Sequence, residues 1–270
     1  MKIAYTLAGQ GPRLFVHPGG PGLSSMEFAP DCGGLEKMFE VAYIDPRGTG
    51  KTPKPADNRA YRLDDYVDDL AGLITAPSYL LGFSHGGLVA QRFAATYPEK
   101  LLGLVLASTA ARFSPDVEAA LQRKIEASKG APWLADALEA LKREQEGAYT
   151  DDAELGRIIA REMPLYFHTF GDRAKSWVAS SAADPCNGDA LRYFNEAEFT
   201  SIDLRPELKN IRARTVIVAG ADDFICPVEA ARELHDGIRD SSLSVIANAG
   251  HMTFVEQPQA FYEAVSAVLK

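Results

Sequence analysis

The pentapeptide Gly82-Phe83-Ser84-His85-Gly86 has the form Gly-x-Ser-x-Gly. It follows an apolar run, Tyr79 to Gly82, that reads as a strand, and it precedes a helical pattern from Gly87 to Tyr97. In that setting the serine occupies a sharp strand-to-helix turn, and glycines two residues to either side let neighbouring backbone approach closely. The chemistry this suggests is nucleophilic attack on a carbonyl. A serine hydroxyl needs a base to take its proton, and five histidines are available: His17, His85, His168, His235 and His251. His251 lies between the last strand pattern and the last helical pattern, in a loop expected on the same sheet edge as Ser84. His85 follows the serine directly, so its side chain points elsewhere. His235 lies in a polar stretch near a helix end, and His168 in a helical stretch that suits a structural histidine. A third group must orient the base. The chain order serine, acid, histidine directs attention to Asp222 and Asp223, which follow the strand pattern Thr215 to Gly220; the residues alone leave the two open.

Acyl transfer also needs backbone N–H donors aimed at the developing oxyanion. The turn His17-Pro18-Gly19-Gly20-Pro21-Gly22 supplies them. Pro18 and Pro21 have no N–H, so Gly20 is the better donor and Gly19 the second choice. The other donor is the N–H of His85, the residue after the serine. Losing one such donor costs about 3–4 kcal/mol of transition-state stabilisation.

The elements that must position these groups follow from the hydrophobic pattern. Apolar runs at Leu14 to His17, Val41 to Asp45, Tyr79 to Gly82, Leu102 to Ala107, Thr215 to Gly220 and Leu243 to Ile246 suit buried parallel strands. Helical patterns at Asp64 to Leu73, Gly87 to Tyr97, Pro227 to Leu234 and Pro258 to Leu269 alternate with them, which predicts an α/β fold with a doubly wound, mostly parallel sheet. From 111 to 205 the rhythm changes. Helical patterns at Val117 to Ser128, Trp133 to Glu146, Ala153 to Met163 and Ala174 to Ala183 dominate, punctuated by Pro115, Pro132, Pro164 and Pro185. This predicts a core of residues 1–110 and 206–270, with an all-helical cap, 111–205, inserted between two strands over the carboxyl edge of the sheet.

Taken in order, Gly19-Gly20-Pro21-Gly22, Asp45-Pro46-Arg47-Gly48-Thr49-Gly50, Gly82 to Gly86, Gly220-x-x-Asp223 with Pro227, and Gly250-His251 resemble the α/β-hydrolase superfamily along nearly the whole chain. The first element resembles the His-Gly-Gly-Pro-Gly signature of the proline iminopeptidase family, with one proline inserted after His17. The resemblance implies an α/β-hydrolase fold, Asp223 as the acid, and removal of N-terminal residues, often proline, from short peptides. It also implies that a glutamate near the end of the helical cap holds the substrate ammonium. Glu198 resembles that position, ahead of Glu196 and Glu162. Two departures stand out: His85 takes the place of the tryptophan that family elbows usually carry, and Thr52 that of a serine. Relatives with a Gly-Gly-Pro-Gly turn include esterases and amidases, so an esterase or lactonase using the same triad is the alternative reading.

The 270 residues carry 37 acidic and 28 basic side chains, a net charge of −9. That acidity disfavours nucleic acid and anionic membrane as partners, and the expected partner is a small molecule or short peptide. Three cysteines, Cys32, Cys186 and Cys226, without Cys-x-x-Cys spacing predict reduced thiols in a cytoplasm and no structural zinc. The triad chemistry calls for neither metal nor cofactor. Gly48-Thr49-Gly50-Lys51-Thr52 imitates the end of a phosphate-binding loop, but Asp45 stands where that motif needs glycine, and Pro46 and Pro53 flank it. Asp45 and Arg47 are expected to brace the loops around the site instead.

Overall fold

The computed structural model describes residues 1–28, 34–181 and 186–270; Cys32 and Pro185, and the end of the helix expected to reach Ala183, lie outside them. Seven strands form one sheet: β1 Ala4–Gly9, β2 Arg13–His17, β3 Glu40–Asp45, β4 Ser78–Phe83, β5 Leu101–Ala107, β6 Thr215–Gly220 and β7 Ser241–Ile246. Their spatial order is β1-β3-β2-β4-β5-β6-β7. All neighbours pair in parallel except β1, which runs antiparallel to β3 at the edge. β1 has no counterpart in the expected strands. Its side chains are mostly exposed, with Tyr5 and Leu7 open to solvent, so it lacks the unbroken apolar run that marks the buried strands.

Alternation along the inner strands builds two cores. Phe15, Ala42, Ile44, Leu80, Leu104, Leu106, Ile217 and Ala219 face one side. Leu14, Val16, Val41, Tyr43, Leu81, Val105, Val216 and Val218 face the other. A strand buried on both faces must be apolar at every position. Helices α1 Leu63–Leu73 and α2 His85–Thr96 bring Tyr66, Leu70, Val89 and Phe93 to the first core.

Between β5 and β6 the described residues carry helices and one isolated bridge, and no strand: α3 Val117–Ala127, α4 Leu134–Gln145, α5 Asp152–Glu162, α6 Asp172–Ser181, α7 Gly188–Tyr193 and α8 Arg205–Leu208, with a π-helical turn at Phe194–Glu198. The chain entering and leaving this stretch meets at the antiparallel bridge between Arg112 and Asp203, where Leu204 N–H donates to Ala111 O at 2.8 Å. After β6 come α9 Val228–Gly237, α10 Thr253–Glu256 and α11 Pro258–Ser266, and Phe254, Phe261 and Val265 of the last two fill the second core. No helix is long and apolar enough to cross a membrane among the described residues.

The loop after β3 is held by charge. The buried Arg47 donates from Nε to Asp69 Oδ2 at 2.7 Å, and from its two terminal nitrogens to Ala60 O at 2.7 Å and Asp65 O at 2.6 Å. Asp45 accepts from the N–H groups of Ser25 and Lys51. The phosphate-loop look-alike is thus a loop filled by its own carboxylate. Removing one member of a buried ion pair strands the other. Arg47→Met is expected to cost about 3 kcal/mol of stability, measured as a shift in the urea midpoint at constant m-value.

Candidate active site

Ser84 joins β4 to α2 with φ 51° and ψ −120°. A non-glycine residue in that region stores on the order of 1–3 kcal/mol, so the surroundings must enforce it. Ser84 N–H donates to Ala107 O at 3.0 Å, and Ser84 O accepts from Gly87 N–H and from Thr109 Oγ1. The flanking glycines are sterically required. A methyl group on Gly82 would collide with Gly86 O, and one on Gly86 with the carbonyl oxygens of His17 and Pro18. Ser84 is half-buried between fully buried neighbours.

His251 and Asp223 stand at the ends of neighbouring strands β7 and β6. Their side chains are buried, and His251 Nδ1 lies 2.8 Å from Asp223 Oδ2. The other carboxylate oxygen accepts from the N–H groups of Ile225 and Cys226, both at 2.9 Å. Every acceptor direction used on Asp223 is therefore a protein donor, which holds the carboxylate still. Asp222, one residue away, pairs with His168 at 2.8 Å in a half-exposed position. The strand end thus sends one aspartate inward and the other to the surface. The His251 ring rests on Phe83 and Tyr166. Its backbone is pinned by Ser108 Oγ, which donates to His251 O at 2.8 Å, and by Tyr166 O, which accepts His251 N–H at 2.7 Å.

At the first turn, Gly19 N–H donates to Glu27 Oε2 at 2.7 Å. That donor is spent, which leaves Gly20, whose N–H has no hydrogen-bond acceptor among the described residues. The N–H of His85 opens α2 and has no intrahelical acceptor. The His85 ring itself is buried among His17, Tyr66 and Phe194, with neither nitrogen hydrogen-bonded. Burial, and then the neighbouring His17, push its pKa down to about 3, so the ring is a neutral apolar filler at physiological pH. Burial likewise takes His17 down to about 4.

A cavity of about 590 Å³, counted to its open mouth, is lined by Leu23, Ile159, Met163, Trp177 and Met252, with Glu27 as the one charged residue on its wall among the described residues. Among the described residues one group has three metal-ligating atoms close together: Asp223, Cys226 and His251, within 4.8 Å. The acid and the histidine already bind each other, and burial raises the Cys226 thiol well above its ordinary value. The protonated thiol is a poor ligand, so these residues do not fit a resident metal.

Ser108, Thr109, Glu27 and Glu256 escaped the sequence reading. Ser108 and Thr109 had a usable signal, since they follow β5 at the carboxyl edge where ligands bind in such sheets. Glu256 binds the N–H groups of Gly250, His168 and Thr169, a role no local spacing announces. Both oxygens of Glu198 accept from Leu63 N–H, at 3.0 and 2.9 Å, and so satisfy an orphan donor at the start of α1. Glu196 is exposed. Glu162 is buried against Tyr166, whose hydroxyl donates to it at 3.3 Å. None of the three lines the cavity, and Glu198, expected to bind an ammonium, accepts the Leu63 N–H. Glu198→Ala is expected to lower stability by about 1 kcal/mol, as loss of a helix cap does, in a denaturant titration, with KM for a proline amide unchanged.

Comparison with known proteins agrees with this architecture. A family model described as the alpha/beta hydrolase fold matches residues 12–258. The chain is 26% identical to a proline iminopeptidase, PfmaB, of Pestalotiopsis fici over 95% of its own length and 92% of that protein's. It is 30% identical to 3-oxoadipate enol-lactonase 2 of Acinetobacter baylyi over 87% of its length and 80% of that protein's. An alpha/beta fold family hydrolase from Bacillus anthracis superposes with a TM-score of 0.77 at 20% identity, covering 98% of this chain and 95% of that one, a likeness of fold. With a family model spanning most of its length and a seven-stranded sheet of the matching kind, the chain belongs to the alpha/beta hydrolase family.

Proposed function

We propose that this chain is a serine hydrolase that cleaves a small amide or peptide through an acyl-enzyme, in the manner of a proline iminopeptidase-like aminopeptidase. One observation carries the hydrolytic half of the reading: a buried His251–Asp223 pair at the carboxyl edge that also presents Ser84 at a strained turn. Asp223 fixes the proton of His251 on Nδ1, which leaves Nε2 as the basic nitrogen. Ser84 Oγ attacks the acyl carbon while Nε2 takes its proton. The N–H groups of Gly20 and His85 receive the oxyanion. His251 then returns the proton to the leaving group, and water cleaves the acyl-enzyme by the same route in reverse.

The amide preference is supported by the Gly19 to Gly22 turn and by the likeness to an iminopeptidase. The helical stretch between β5 and β6 acts as a cap that supplies cavity wall through Ile159, Met163 and Trp177. A cytoplasmic setting fits the buried reduced thiol of Cys226. A second reading, an esterase or lactonase with the same triad, is favoured by the largely apolar wall and by the engagement of Glu198 on α1.

Ser84→Ala is expected to lower kcat on the order of a million-fold and to abolish irreversible labelling by a fluorophosphonate. A folded parent that does not label would sink the hydrolase reading. Asp223→Asn, which favours the wrong imidazole tautomer, is expected to cost about 10⁴ in kcat; a loss under tenfold would remove Asp223 from the triad. Turnover of proline and alanine arylamides against short-chain aryl esters separates the two readings. Cleavage of esters alone, or equal cleavage of N-acetylated arylamides, excludes the aminopeptidase.

A further inference from the structure

Glu27 stands out as a buried acid that the proposed chemistry leaves unused. It lies in a short 3₁₀ turn, Ser25–Glu27, and is 4% exposed. Its backbone carbonyl is held by Trp177 Nε1 at 3.2 Å, so the residue is anchored from the cap side. One carboxylate oxygen, Oε2, takes the Gly19 N–H. The other, Oε1, has no hydrogen-bond partner among the described residues, and among the described residues Glu27 is the one charged residue that lines the cavity.

Its position relative to the nucleophile is set by Gly19. A methyl group on Gly19 would lie 3.1 Å from Ser84 Cβ and 3.3 Å from Glu27 Oε1. The serine and the carboxylate therefore stand close together on the same side of Gly19. Acids in clefts whose titration is shifted by burial mark functional sites. Burial pushes the Glu27 carboxyl up to about 7, against the pull of the Gly19 N–H and of nearby His251. A cation beside Oε1 would hold the carboxyl ionised and supply the partner that the described residues do not.

We propose that Glu27 receives the ammonium of an acyl group that carries a free amine on the carbon next to the carbonyl, which makes α-aminoacyl esters and amides the substrate class. In such a group the amine nitrogen lies two bonds from the carbonyl carbon, about 2.5 Å away. Any anion that binds it must therefore stand within one residue of the nucleophile. Glu27 does. Glu198 is instead bound to Leu63 N–H. The proposal rests on Ser84 being the nucleophile and deepens that reading by naming the group that selects the acyl part.

The test uses two esters of the same shape, L-proline methyl ester and methyl cyclopentanecarboxylate, which differ in the ring amine. Hydrolysis is followed near neutral pH for the parent chain and for Glu27→Gln, which keeps an acceptor for Gly19 N–H. The parent is expected to favour the proline ester in kcat/KM, and Glu27→Gln to reduce that preference roughly tenfold or more, the worth of a charge-assisted hydrogen bond. Because the readout is a ratio, a variant that is merely less well folded lowers both rates and leaves it unmoved. A parent with no preference for the amine, or a ratio that Glu27→Gln does not change, overturns the assignment while fluorophosphonate labelling of Ser84 still stands. Absence of that labelling overturns both.

Discussion

The backbone at Ser84 can hold a positive φ because three separate strand ends converge on it. β5 supplies Ala107 O and the Thr109 hydroxyl, and β2 presses its last carbonyl against Gly86. The helix that starts at His85 begins where β4 stops. An L-residue in this conformation is disfavoured in isolation, so the turn exists only when the sheet is assembled around it. The same assembly brings Asp223 and His251 to adjacent strand ends. The strained turn and the buried pair are thus products of one packing event.

Carboxylates do most of the remaining fastening, each by collecting backbone N–H groups that no helix or strand satisfies. Asp45 ties the loop after β3 to the first 3₁₀ turn, Glu256 ties the His251 loop to the chain around His168, and Glu198 ties the helical stretch to α1. Each of these acids has its acceptors filled from the protein. Glu27 is different: among the described residues only Oε2 has a partner, and no other charged residue lines the cavity. That contrast separates an acid that holds structure from one that can hold a ligand.

His85 illustrates how tertiary context redefines a residue. Its N–H, directly after Ser84, opens α2 without an intrahelical acceptor, while its ring, packed against Tyr66 and Phe194, is kept neutral by burial. The contact with Phe194 also links the turn to the helical stretch.

The inner strands, the helices that cover them and the order of the motifs were legible in the sequence, because a strand buried on both faces must be apolar throughout and a strand-to-helix turn with a serine demands glycines at fixed offsets. β1 was not, since an exposed edge strand carries no such demand. Asp222 and Asp223 are equivalent in local pattern; the divergence of the chain after β6 sends Asp223 to His251 and Asp222 to His168. Gly19 and Gly20 were separated as donors by a side chain eight residues along, Glu27. Glu198 went to α1 because a helix start needed an acceptor there. What the sequence by itself determined was every group whose role depends on neighbours within a few residues. Roles that depend on which N–H or which cation stands opposite a carboxylate were decided by the tertiary structure, because an acid's partner lies across space and leaves no local spacing to read.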